Sequence, residues 1–259
     1  MSEQHVPVSA EIAVVVPCRN AAPWVAEALD SLADQHLAPR EVLVVDDGST
    51  DGSADVVVEW TAAHPRLPFD VRVIRQGPLG VAAAVNRGVA ETGMPLVVRV
   101  DADDRVDRRF LQMLAAALAE NPAAGYAYPA MVMFGEATGR YHVRAFDAAA
   151  LVFEGNFVCA GALMRRAVFL EVGGLADLPA WEDWDLWLRF LDAGYEGVLV
   201  DEELYAWRRH GVTRNRLGLA QRRALRLRIW WRHRRLVRRH LRRGVPLALQ
   251  RSRHPVRQQ

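Results

Sequence analysis

Apolar positions along the chain fall into runs and stripes that alternate. Ile12–Val16 is a short apolar run ending at Pro17, and Trp24 to Gln35 follows with helical spacing. Glu41–Asp46 holds the continuous run Val42, Leu43, Val44, Val45, which suits a strand buried on both faces. Helical spacing returns over Ser53–Ala63, a strand over Val71–Ile74, a helix over Val81–Glu91, a strand over Leu96–Val100 and a helix over Asp107–Ala119. Strand alternating with helix four times predicts a parallel α/β sheet with helices on both faces.

After Asn121-Pro122 the alternation loosens. Tyr126–Phe134 and Tyr141–Phe146 read as strands around a Gly-containing turn, and Ala160–Met164 as a short apolar segment. Asp183–Ala193 reads as a helix closed by Gly194. Gly197–Val200 and Leu204–Trp207 read as strands, and Leu217 to Arg243 as one long helix. Neither a repeat nor a flexible linker interrupts the chain, which suggests one domain with a helical arm.

Charge sharpens that division. All 31 acids of the 259 residues lie at or before Glu203, whereas 18 Arg follow Ala206. The first part is therefore an acidic globule of net −16 and the arm carries +18. All 33 basic residues are Arg. The lack of Lys excludes a Walker A lysine, a pyridoxal-phosphate Schiff base, a kinase strand lysine and a Ser-x-x-Lys nucleophile. Cys18 and Cys159 form no zinc-type cluster and read as free thiols of a reducing compartment. Met1–Ser9 has no apolar signal region, and no apolar run reaches about 18 residues. These features suggest a cytoplasmic protein, with the inner membrane face as a possible site of peripheral attachment.

Candidate chemistry gathers at strand ends, where open parallel sheets bind ligands. Val16 leads into Pro17-Cys18-Arg19-Asn20, Val45 into Asp46-Asp47-Gly48-Ser49-Thr50-Asp51, and Val100 into Asp101-Ala102-Asp103-Asp104. Clustered acids repel one another unless a cation or a donor-rich ligand compensates them. Asp-x-Asp suits Mg²⁺ or Mn²⁺, hard ions that take carboxylates together with substrate phosphates. Each acidic segment taken alone is equally a turn or helix cap. Their joint occurrence on one sheet edge is what favours a site. Ser49 is expected to make a local turn bond, and Gly48 to take positive φ.

These three segments, with Gly173-Gly174-Leu175 and Trp181-Glu182-Asp183-Trp184-Asp185-Leu186, resemble family 2 glycosyltransferases over roughly residues 11–213. The resemblance implies a GT-A fold, with a mostly parallel nucleotide-binding sheet flanked by helices. It divides the chain into residues 1–213 as the catalytic domain and 214–259 as a basic helical extension. Within the domain, 11–120 would bind the nucleotide-sugar and 121–213 would serve acceptor and catalysis. The implied activity is metal-dependent, inverting transfer from a nucleotide-diphosphate sugar, UDP-linked sugars being favoured, to a hydroxyl acceptor whose identity the resemblance leaves open, a lipid-linked acceptor and a glycan among the candidates.

By that resemblance Pro17, Arg19, Asn20, Asp46 and Asp47 would cradle the nucleoside. Gly77 to Gly88 matches the family's donor loop, with Pro78 in place of its leading Asn and with Asn86 retained as a donor contact. The helix starting near Gly80 could offer N–H groups to a diphosphate. Asp101 would contact ribose or diphosphate and Asp103 would hold Mn²⁺ or Mg²⁺, which would aid departure of the diphosphate. Asp104 would serve there or cap the following helix. Asp183 would be the general base, ionised at neutral pH. Trp181, Glu182 and Trp184 would lie on the acceptor side, with Trp187 in the core. Trp207-Arg208-Arg209-His210-Gly211-Val212-Thr213 resembles a family segment in which His reaches the metal and Arg the diphosphate, implicating His210 and Arg208.

The arm allows several readings. Residues 217, 220, 224, 227 and 231 follow helical spacing and make one apolar face. The arm could dock on its own globule, join a second subunit as a homo-oligomer, or rest on an anionic membrane surface. An Arg run also suits a nucleic-acid backbone, but no recognised nucleic-acid module accompanies it, which disfavours that partner. A non-catalytic nucleotide-sugar or carbohydrate-binding protein on the same fold is the alternative to an enzyme.

Overall fold

A computed structural model describes residues 11–141, 143–211 and 217–242. Its first half follows the alternating pattern closely. Strands β1 (Ile12–Cys18), β2 (Glu41–Asp47), β3 (Asp70–Gln76) and β4 (Leu96–Arg99) alternate with helices α1 (Val25–Ala33), α2 (Ser53–Ala63) and α3 (Val81–Glu91). All three pairings among these strands are parallel, with Val14 opposite Val42 and Val98. β1 and β2 are buried almost throughout because helices cover both faces, so continuous Val and Leu runs are what these positions require.

The second half is mixed. It contains β5 (Arg105–Val106), α4 (Phe110–Glu120), β6 (Tyr126–Gly135), β7 (Gly139–Arg140), α5 (Ala148–Phe153), β8 (Leu163–Arg165), α6 (Arg166–Glu171), α7 (Glu182–Asp192) and β9 (Gly197–Arg209). The sheet runs β3-β2-β1-β4-β8-β6-β9-β5, with β7 appended to β6. β8 is antiparallel to β4 and to β6, while β9 returns parallel to β6. The parallel character expected of the sheet therefore holds for its nucleotide half and gives way to mixed pairing beyond β4.

Four local expectations change. The helix read from Asp107 starts at Phe110, because Arg105–Val106 pairs with β9 first. The described residues of Tyr141–Phe146 form no strand; the ladder to β6 ends with the bond from Tyr141 N to Met131 O, and the Tyr128 hydroxyl donates to the Arg144 carbonyl across the loop. The two short strands after Gly194 are one strand, β9, whose register against β6 shifts around Ala130. The long C-terminal helix is two helices, α8 (Leu219–Arg232) and α9 (Arg234–Arg242), broken at His233.

That break has a cause in the core. His233 turns inward, its Nε2 lying 2.9 Å from Asp185 of α7, and Arg232 donates to the same oxygen at 3.0 Å. Leu225, Ile229 and Leu236 are buried, Trp230 Nε1 donates to the Val152 carbonyl, and Arg239 pairs with Asp192. The described part of the arm thus docks on its own globule. Both cysteines are buried free thiols, held protonated by burial. No described helix is long and apolar enough to cross a membrane. Met1–Ser9, Val212, Thr213 and Arg243 lie outside the described residues.

Candidate active site

The ends of β1, β2 and β4 open onto a cavity of about 970 Å³. Its lining draws on the loop after β1, the first turn of α3, the Asp101–Asp103 segment, the residues before α7 and the end of β9. The topology explains this convergence: parallel strands bring their carboxyl ends to one edge, and β9 crosses over to join them.

The two nucleotide-side loops are stitched together. Asn20 takes the left-handed conformation, φ 52°. Its N–H donates to Ser49 Oγ at 3.0 Å, and its Oδ1 accepts from Thr50 N at 2.9 Å. Ser49 therefore reaches across to the β1 loop instead of forming only the local bond expected of it, although its own N–H also meets Asp46 Oδ1 at 3.3 Å. Gly48 has φ +73°, and a Cβ there would meet Pro78 N at 3.0 Å, so the loop needs glycine on both counts. Pro17, Arg19 and Asn20 line the cavity.

Asp46 and Asp47 are both buried, and Asp47 has structural commitments. It accepts from Gln76 Nε2, Leu79 N and Gly80 N, each at 2.8 Å, with Arg19 at 3.8 Å. Asp47 thereby positions the loop that starts α3, and Gly80, Val81 and Ala82 present the helix N-terminus to the cavity.

Asn86 departs from its expected role as a donor contact. Its Nδ2 donates to Leu175 O and its Oδ1 accepts from Leu175 N, both at 2.8 Å. This closed pair clamps the Gly173-Gly174-Leu175 turn, and a Cβ on Gly174 would lie 2.5 Å from Asn86 Oδ1. Asn86 is thus a brace between α3 and that turn.

Asp101, Asp103 and Asp104 bring oxygens within 4.8 Å of one another. Asp104 is buried and accepts from the Tyr205 hydroxyl at 2.8 Å and from Arg208 N at 2.7 Å. It neither caps α4 nor faces the cavity. Burial, then Asp101 and Asp103, push its carboxyl well above the usual range. Asp103 faces the cavity with His210, whose Nε2 lies 2.9 Å from Asp103 Oδ2, and the His210 ring packs 4.3 Å from that of Trp24. A carboxylate and an imidazole in contact at the mouth of an acidic cluster fit a divalent cation. Arg208 also lines the cavity; it donates to the Asp103 carbonyl at 2.7 Å and to Glu27, and its guanidinium lies over Phe134.

Arg99 joins the two acidic walls. It is nearly buried at the end of β4, holds Asp101 through two bonds of 2.5 and 2.9 Å, and reaches Glu182 at 3.5 Å. Burial pulls its pKa down, but Asp101 and then Glu182 more than offset that and raise it above the usual arginine value. Trp181 precedes α7 in the left-handed conformation, φ 60°, which is unfavourable for so bulky a residue. That backbone turn sets Glu182 into the cavity wall, with Asp183 next to it. Asp183 accepts from Asn156 Nδ2 at 2.8 Å and from Trp184 N at 2.8 Å. Burial first, and the charge of Glu182 second, raise its carboxyl to about 6, against the lowering pull of Arg99.

Trp184 is not an acceptor surface. It is 1% exposed, its Nε1 donates to Leu151 O, and the Trp181 ring meets it edge-on. A ring enclosed in this way has no face to offer a sugar. Trp181 is partly buried, and Trp187 lies in the core as expected. Sequence reading missed Arg99, Asn156, Tyr205 and Trp24. A charged residue inside the apolar run Leu96–Val100 was the one available signal, for Arg99; the other three depend on contacts over long sequence separations.

Comparison with known proteins agrees with this architecture. Residues 13–173 match the model of the family described as Glycosyl transferase family 2. The Bacillus subtilis glycosyltransferase EpsJ is 30% identical over 110 residues, covering 42% of this chain and 31% of EpsJ. The structure of Staphylococcus aureus TarS 1-349 in complex with UDP-GlcNAc superposes with TM-score 0.66 at 20% identity, over 80% of this chain and 61% of that one. The mannosyltransferase PcManGT from Pyrobaculum calidifontis, in complex with GDP-Man and Mn2+, gives 0.65 at 22% identity, over 95% and 73%. The chain thus spans under a third of EpsJ and about three fifths of the TarS chain. With the family match covering more than half of its length, and the acidic strand-end loops gathered around one cavity, the chain belongs to glycosyl transferase family 2.

Proposed function

We propose that the protein transfers a sugar from a nucleoside-diphosphate donor to an acceptor hydroxyl, with inversion and with help from a divalent cation. The observation that carries this reading is the placing of Asp103 with His210 and of Glu182 around one cavity, with Arg99 between the two groups and Asp183 directly following Glu182 in α7. The solved neighbours hold UDP-GlcNAc in one case and GDP-Man with Mn2+ in the other, which supports a uridine or guanosine diphosphate sugar, with the uridine form favoured.

Asp103 and His210 would hold the cation, Mn²⁺ or Mg²⁺, with Asp101 beside them. When bound, the ion would neutralise charge on the departing diphosphate. The chain's own residues supply the rest. The β1 loop and the N-terminus of α3 receive nucleoside and diphosphate. Arg99 fixes Asp101 and holds Glu182 in the opposite wall. Asp183, oriented by Asn156, accepts the proton of the acceptor hydroxyl as its oxygen attacks the anomeric carbon and the bond to the diphosphate breaks. One displacement at one carbon inverts its configuration.

A thermal-shift panel of UDP, GDP, dTDP and CDP with their common sugars, with and without Mn²⁺, tests this reading. A metal-dependent rise in melting temperature with one nucleotide is the expected result, since a ligand of the folded state stabilises it. Folded protein that shifts with none of them would favour the non-catalytic binding protein instead.

A further inference from the structure

The apolar stripe that includes Ala220, Ala224, Leu227 and Trp231 left open whether α8 seats it on the globule, on a second subunit or on a membrane. The structure turns it away from the globule. Leu225 and Ile229 face the core, whereas the stripe is exposed, Leu227 at 63% and Trp231 at 69%. Among the described residues, four of the eight exposed large hydrophobics belong to α8 and α9. Arg223, Arg228, Arg234, Arg235 and Arg238 are exposed around them, and no acid occurs after Glu203.

We propose that this outer face of the arm rests on an anionic lipid bilayer. The pattern is that of an interfacial helix: Trp and Leu enter the headgroup boundary while Arg side chains around them meet lipid phosphates. Arg suits this position because its aliphatic stem lies along apolar surface while its head stays with the phosphates. A nucleic-acid backbone would reward the arginines but leave Leu227 and Trp231 in water. A second copy of the chain packed through this face would bring two sets of arginines together with no acid of the arm to pair them. The globule's acidic surface would be repelled by the same bilayer, which leaves the arm as the contacting element.

Sedimentation of the full chain with phosphatidylcholine vesicles, with and without phosphatidylglycerol, tests the proposal. Binding should require phosphatidylglycerol and weaken with added salt. Leu227→Ser with Trp231→Ser should lower the partition coefficient roughly tenfold or more without changing the melting temperature, since neither side chain is in the core. Arg228→Glu with Arg235→Glu should lower it as well. The proposal fails if the Ser variant partitions like the parent or if neutral vesicles bind equally well. It also fails if, without vesicles, sedimentation velocity shows a dimer that this variant dissolves.

Discussion

Asp183 has a carboxyl raised to about 6, and a general base works only when ionised. Transfer should therefore fall as pH drops through about 6, by roughly tenfold per unit below it, which a pH profile of kcat/KM would read. Asp183→Asn should lower kcat by roughly 10²-fold or more while a donor titration stays close to the parent's; normal turnover would remove Asp183 as the base. Asp103→Ala and His210→Ala should each weaken donor binding in Mn²⁺ and leave the metal-free thermal shift alone. Asn86→Ala is expected to behave differently, since it loses both bonds to Leu175. Its cost should appear as about 1 to 3 kcal/mol in denaturant unfolding and not as a selective donor defect.

Elements were legible where burial imposed a simple period. The Val and Leu runs of β1 and β2 admit one reading, and α2 and α3 begin and end where their patterns do. The acidic loops were legible as well, because Asp-Asp-Gly and Asp-x-Asp at strand ends carry few structural reasons to recur together. Legibility failed where long-range pairing overrode local pattern. Tyr141–Phe146 alternates like a strand, but past the bond from Tyr141 N to Met131 O it is held by the Tyr128 hydroxyl at Arg144 instead of by a ladder. The arm has helical spacing on two faces, and sequence alone does not say which one the core takes. Its choice is dictated by Asp185, fully buried and lowered to about 2 by His233, Arg189 and Arg232. A carboxylate with a depressed pKa adds stability above its unfolded value near 4, and this is lost as pH falls through about 2. Asp185→Asn should accordingly cost about 2 kcal/mol or more at neutral pH, and the difference from the parent should shrink on acidification.

At the scale of the molecule, charge and sheet design act together. An acidic globule gathers Asp101, Asp103 and Asp104 at one sheet edge, where the proposed cation and diphosphate would relieve the repulsion, and a basic arm lies against it. The family match ends at residue 173, yet Glu182, Asp183, Arg208 and His210 lie beyond it. A single helix, α7, offers Glu182 and Asp183 at its first turn and grips the arm through Asp185 and Asp192. The smallest piece of this chain able to turn over substrate should therefore extend past Leu236. Shortening it to Gly211, a natural choice for isolating a minimal catalyst, would keep His210 but strip Arg232 and His233 from Asp185, within one helical turn of Asp183. Such a truncate should still bind nucleotide through the β1 and β2 loops but lose turnover. Arm and base would then be inherited as a unit, so that swapping tails between relatives would alter the rate of catalysis as well as the address of the enzyme.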